Sequence, residues 1–156
     1  MIMSYAVIRV RGTPDVNYDI ENTMRLLGLT RVNHCVVVPE NDVAKGMLQK
    51  AKDYITWGEV SEKTLAEMIK VRGRAVGDEM ITDDYLAGKS EFKTVDDLAK
   101  AIIADGYKMK DVEGAKIVFR LHPPVKGYEG NKRSWQNGGA LGYRGDKIND
   151  LIARML

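Results

Sequence analysis

Tyr5-Ala6-Val7-Ile8-Arg9-Val10-Arg11 alternates strictly, with Tyr5, Val7, Arg9 and Arg11 on one side and Ala6, Ile8 and Val10 on the other. That two-residue period marks a strand. Gly12-Thr13-Pro14-Asp15 breaks it and starts a helix in which Val16, Ile20, Thr23 and Leu27 share a face, and Gly28 is placed to end that helix in a left-handed cap. Val32 to Val38 is short, β-branched and stopped by Pro39, which makes a second strand. Asn41 can cap a second helix with Val43, Met47, Leu48 and Ala51 on one face and Lys45, Lys50 and Lys52 largely off it. Ile55 to Val60 reads as a third strand. Each helix has a single apolar stripe, so both are expected on one face of a small sheet, with the other face free. Arg9 and Arg11, in line with Tyr5, are expected on that free face.

Beyond residue 60 the pattern is mainly helical. Ser61 can cap a helix carrying Leu65, Met68 and Ile69, Thr82 a short turn through Leu86, and Thr94 a helix whose buried stripe is Val95, Leu98, Ala99, Ile102 and Ile103. Lys116 to Leu121 is expected as one more strand, closed by Pro123-Pro124. After a long irregular stretch, Asp146 is expected to cap a last helix with Ile148, Leu151, Ile152 and Met155 on one side. The segments are therefore 1–60, a βαβαβ core domain; 61–115, a helical extension; and 116–156, a Gly- and Arg-rich segment ending in a helix.

Composition is that of a globular protein, 44% apolar and 29% charged. No apolar run approaches the roughly 18 residues of a membrane span. The first residues carry no secretory signal, so a cytoplasmic location is expected. Cys35, the single cysteine, sits in His34-Cys35-Val36-Val37-Val38 and reads as a small buried hydrophobe. Net charge is +2, but unevenly spread: +1 over residues 1–38, −4 over 39–115 and +5 over 116–156. A basic end on an acidic middle points to a polyanion met by one part of the molecule.

The most informative stretch is residues 122–147, with six glycines, two prolines, three aromatics and five Lys or Arg. It has too few aliphatics for a core of its own, and so long a loop in a compact domain implies a use. Lys126, Lys132, Arg133, Arg144 and Lys147 supply phosphate-binding charge, and Trp135, Tyr128 and Tyr143 offer rings for stacking on bases. Replacing Arg133 and Arg144 with Ala is expected to weaken RNA binding and leave stability almost unchanged.

Enzyme-like patterns fall short. Gly127 to Ser134 lacks the spacer and the Gly-Lys-Ser or Gly-Lys-Thr ending of a phosphate loop. Asp83-Asp84 and Asp96-Asp97 sit in first helical turns, where acids favour the dipole. His34 and His122 have no partner at metal-ligand spacing. No catalytic residue, metal or cofactor is expected.

The runs Ala6 to Arg11, Asn22 to Leu29, Asn33 to Val38, Gly46-Met47-Leu48 and Trp57-Gly58 resemble the large-subunit ribosomal protein thirty family, whose eukaryotic members are numbered seven. Arg72-Gly73-Arg74, Phe119 to Pro124 and Gly138 to Gly145 look like the archaeal and eukaryotic version. Eukaryotic relatives carry a long basic N-terminal arm, and a chain opening on the first strand fits the archaeal type. The resemblance implies an α+β, ferredoxin-like fold: a three-stranded antiparallel sheet with two helices on one face, plus a mainly helical C-terminal extension. It implies a non-enzymatic constituent of the large ribosomal subunit, with ribosomal RNA and neighbouring ribosomal proteins as partners and no membrane or small-molecule substrate. RNA contact carries over to Arg9, Arg11, Arg72, Arg74, His122 and Arg144, and to Lys132, Arg133 and Trp135. The rival readings are an RNA-binding module outside the ribosome and a ferredoxin-like metabolite-binding regulatory domain.

Overall fold

The structure, a computed structural model, describes residues 4–12, 16–104, 112 and 114–156, the side chains of residues 131 and 132 excepted. The helix start assigned to residues 13–15 lies outside the described residues. β1 (Ser4–Arg9) pairs antiparallel with β2 (His34–Pro39) on one side and β3 (Ile55–Glu59) on the other. Between them run α1 (Tyr18–Leu27) and α2 (Asp42–Lys50). α1 ends at Gly28, whose φ of 90° is left-handed, a conformation that costs a side-chain-bearing residue more. Asn41 caps α2, its Oδ1 accepting from the Ala44 amide at 2.8 Å. The buried stripe of α2 runs through Ala44, Leu48 and the capping Ala51 rather than through Val43, which is 75% exposed.

The sheet has six strands, where three were expected. β4 (Phe119–Arg120) adds antiparallel to β2. β6 (Gly139–Tyr143) adds parallel to β3, and β5 (Gly130–Ser134) follows β6 along an irregular ladder, giving the order β4-β2-β1-β3-β6-β5. A three-stranded sheet would leave β2 and β3 with unpaired backbone groups at both edges, and the C-terminal chain meets that demand on both sides. The stretch read as irregular thus contains two of the strands. Of the strand expected over residues 116–121, only Phe119–Arg120 pairs along β2.

The second difference concerns the faces. Tyr5, Val7, Val36 and Ile55 pack against Met24 and Leu27 of α1 and Leu48 of α2. Ala6, Ile8, Cys35 and Phe119 point the other way, into a larger core with α3 (Glu62–Arg72), α5 (Val95–Ile103) and α6 (Ile148–Met155), joined by Leu86 of α4 (Asp83–Lys89). The expectation of a free face is therefore corrected. The later helices also carry apolar stripes, and the second face of the sheet is where Leu65, Leu98, Leu151 and Ile152 reach full burial. Cys35 is fully buried there, and burial pushes its thiol up to about 12.

Polar caps start the later helices: Ser61 Oγ accepts from the Thr64 amide, Thr82 Oγ1 from Tyr85 and Thr94 Oγ1 from Asp97. Such a cap contributes about 1 kcal/mol. Asp83 adds a brace between helices by accepting from the Val95 amide at 2.9 Å. Asp146 does not cap α6 as expected. A 3-10 turn over Gly145–Lys147 leads into the helix with no side-chain cap. That turn presses on β3 so closely that a Cβ at Gly58 would lie 1.9 Å from the Gly145 carbonyl oxygen. The Trp57-Gly58 pair thus places an aromatic ring on one face of β3 and a glycine under α6 on the other.

Candidate nucleic-acid interface

The cations singled out in the sequence fall into two groups. Arg9 and Arg144 are buried, and both turn inward. The Arg9 side chain is 0% exposed and faces α1, where its Nη1 donates to the Leu29 carbonyl oxygen at 2.9 Å and its Nη2 meets Glu21 Oε2 at 3.0 Å. Its Nε donates to the Arg11 carbonyl oxygen at 2.9 Å. The placement of Arg9 on an open face is corrected: the face it shares with Tyr5 and Val7 is the one the first two helices cover, and a guanidinium there requires the partners it has.

Arg144 is 4% exposed. Its Nε donates to Thr56 Oγ1 at 2.8 Å and its Nη2 to the Ala140 carbonyl oxygen at 2.7 Å, with Glu129 Oε2 3.6 Å from Nη2. Thr56 Oγ1 in turn donates to the Gly142 carbonyl oxygen at 2.8 Å. The guanidinium also stacks over the Trp135 ring, 4.6 Å from its centroid. Arg144 is thus a tie between the C-terminal chain and β3, which corrects its reading as a surface phosphate ligand. Tyr128 also tucks inward, its hydroxyl donating to Asn33 Oδ1, and burial raises its pKa above the usual phenol range.

The second group reaches solvent. Lys126, Arg133 and Lys147 are exposed, and Arg11 is half-buried, with its guanidinium over the Tyr54 ring and its Nη1 donating to the Asp53 carbonyl oxygen. Arg72, Arg74 and His122 are half-buried: Arg72 Nη2 donates to the Leu156 carbonyl oxygen at 3.4 Å, Arg74 Nη1 to that of Gly73 at 2.9 Å, and His122 Nδ1 lies 2.6 Å from that of Pro123. The side chain of Lys132 lies outside the described residues.

The aromatics form a feature that the sequence reading assembled only in part. Where α2 stops short of β3 and β6, the sheet face is open. There the Trp57 and Tyr143 rings lie 6.3 Å apart and Tyr143 and Tyr5 6.4 Å apart, the latter edge to face. Tyr143 is 46% exposed. Its hydroxyl donates to Glu59, which pushes its pKa up to about 12. Two adjoining clefts of about 400 and 270 Å³ share Gln49, Trp57 and Tyr143, the larger also lined by Trp135 and Lys52 and the smaller by Lys45. Trp57 was legible only as a strand residue. Its register opposite Val7 and beside Tyr143 is what brings it into the groove.

At the other end of the sheet, His34, Lys116 and Arg120 line a cleft of about 440 Å³. Burial, then the charges of Arg120, Arg31 and Arg9, lowers the His34 pKa.

Sheet and surface together define a mixed α/β protein with cations around an aromatic groove at the end of the sheet that the C-terminal chain builds. Comparison with known proteins narrows that class. Residues 5–55 match the family described as Ribosomal protein L30p/L7e. The chain is 51% identical over 152 residues to large ribosomal subunit protein uL30 of Methanobrevibacter smithii, covering 97% of this chain and 99% of that protein. It is 49% identical to the protein of that name from Methanococcus vannielii, over 99% of this chain and 100% of the relative, and 47% identical to that of Methanosphaera stadtmanae, over 97% and 99%. The chain belongs to the ribosomal protein L30p/L7e family, in its archaeal form.

Two expectations follow from the geometry. Arg144→Ala lowers the unfolding free energy by roughly 2 to 4 kcal/mol through loss of two hydrogen bonds from a buried charge, while Arg133→Ala changes it by less than about 0.5 kcal/mol. Urea denaturation of both variants checks this, and equal stabilities would refute the assignment. The lowered His34 pKa means that, as pH falls below about 6.5, the unfolded chain takes up this proton before the folded one does. The stability associated with His34 is therefore lost as pH falls through that window. Between pH 7.5 and 5.5 the melting temperature of the parent protein falls further than that of His34→Gln, and parallel curves would contradict the shift.

Proposed function

We propose that this chain is a structural constituent of the large ribosomal subunit that binds and stabilises ribosomal RNA. The observation that carries the reading is 49 to 51% identity over almost the whole chain to proteins named as large-subunit components, a match that spans the +5 segment over residues 116–156 as well as the N-terminal half. The chemistry is that of a scaffold. Exposed cations neutralise phosphates where RNA strands converge, backbone amides add hydrogen bonds, and the rigid sheet fixes the spacing between them.

Lys126, Arg133 and Lys147 are the contacts of this kind that the exposed surface favours, with Arg11, Arg72, Arg74 and His122 as half-buried members of the set and Lys132 beside Arg133 in sequence. Arg9 and Arg144 serve the same interface indirectly, by holding the backbone that presents it. Trp135 and Tyr143 offer rings rather than charge. Neighbouring ribosomal proteins are the second class of partner, and the ribosome is the site of action.

The test is co-sedimentation of the tagged protein with large subunits through a high-salt wash, paired with binding of purified protein to large-subunit RNA across a salt series. Retention on the subunit and a linear fall of log affinity with log salt, of slope about −0.7 to −0.9 per phosphate contacted, are expected. Recovery only in the soluble fraction, with salt-dependent RNA binding intact, would place the protein outside the ribosome. Saturable binding of a small metabolite indifferent to salt would make it a regulatory domain instead.

A further inference from the structure

The groove beside α2 has a chemistry that phosphate neutralisation does not explain, and its interpretation rests on the reading that this chain holds RNA. We propose that this groove receives one unpaired nucleobase of the bound RNA, turned out of its stack and seated against the rings of Trp135, Trp57 and Tyr143.

Tyr143 lies between Tyr5 and Trp57 in ring contact with each, and Trp135 lines the groove as well. Beside α2, Tyr143 is left nearly half exposed. Flat, partly exposed rings set in a groove suit a base, because every base has a π-face.

The rings are also held rigid. Trp135 is backed by the buried Arg144 guanidinium, which is itself fixed by Thr56 and the Ala140 carbonyl. Tyr143 is held through its hydroxyl by Glu59. Rings anchored before binding lose little conformational freedom when a base arrives.

The charge of the lining points the same way. Gln49, Ser134 and Gln136 line the larger cleft with neutral donors and acceptors, and Asp53 adds a carboxylate. With Glu59 close by, the interior repels a phosphate while offering hydrogen bonds to base edges. The cations that line the two clefts are Lys52, which makes no ion pair among the described residues, and Lys45, paired with Glu40 at 3.5 Å. A neutral base in the groove with its phosphodiester held at the lysines is the arrangement this lining accepts.

The experiment compares two hairpin RNAs of equal length and charge, one with a single bulged adenosine and one with an abasic ribose at that position, titrated into the full chain at low salt. Tryptophan fluorescence and dissociation constants are read together. The bulged RNA binds roughly 5- to 150-fold tighter, the equivalent of one base-ring stack of 1 to 3 kcal/mol, and quenches more strongly. Trp135→Ala abolishes the preference, Trp135→Phe keeps part of it, and Lys52→Ala weakens both RNAs alike. Because the abasic comparison uses the unaltered protein, instability of a variant does not blunt it. Equal binding and equal quenching of both hairpins, still weakened by salt, would overturn the groove assignment and leave the RNA reading standing. No salt-dependent binding of either hairpin would count against both.

Discussion

The Arg144 guanidinium sits where the C-terminal chain rejoins the sheet, donating to Thr56 of β3 and to the Ala140 carbonyl of its own strand while stacking on Trp135. Burying a guanidinium is costly unless nearly all its donors are used, so the local backbone must place those acceptors correctly. That requirement links three otherwise independent features. β6 must lie parallel to β3, the turn over Trp135–Asn137 must fold the indole under the cation, and Gly145 must come close enough to Gly58 to start α6. Part of the stretch expected to be irregular is thereby built into the sheet.

Arg9 makes the complementary arrangement in the N-terminal half. It ties β1 to α1 through Glu21 and to the loop after α1 through the Leu29 carbonyl. One buried arginine thus ties a helix to the sheet and the other ties the C-terminal strand to β3. Lys126, Arg133 and Lys147 stay exposed to solvent. The division explains how a chain with a net charge of only +2 can still concentrate cations locally at its surface: part of its basic content is structural, and the surface charge is local.

Much of the local architecture was legible from residues 4 to 103. The alternation from Tyr5, the cap residues Asn41, Ser61, Thr82 and Thr94, and Gly28 at the end of α1 each encode a decision within a few residues, and the structure places each element accordingly. Long-range consequences were not. Alternation shows that a strand has two faces but not that both will be covered, so Arg9 was assigned to solvent. β5 and β6 consist largely of glycine and polar residues, and their pairing depends on β3 some 80 residues earlier, a contact with no local signature. The groove went unrecognised for the same reason, because Tyr5, Trp57 and Tyr143 are neighbours only through strand register.

The glycine-rich C-terminal chain is an ordered part of the sheet in the free protein. Amide hydrogen exchange on the isolated protein puts this to the test. The Arg144 amide, which donates to the Trp57 carbonyl oxygen at 2.9 Å, and the amides at the β3–β6 contact are predicted to be protected to an extent comparable with Ala6 to Ile8 of β1, and to open with them. Protection confined to the β1–β3 sheet and its helices, with residues 130–144 exchanging at the rate of an unstructured chain, would show that the C-terminal strands form only in a complex.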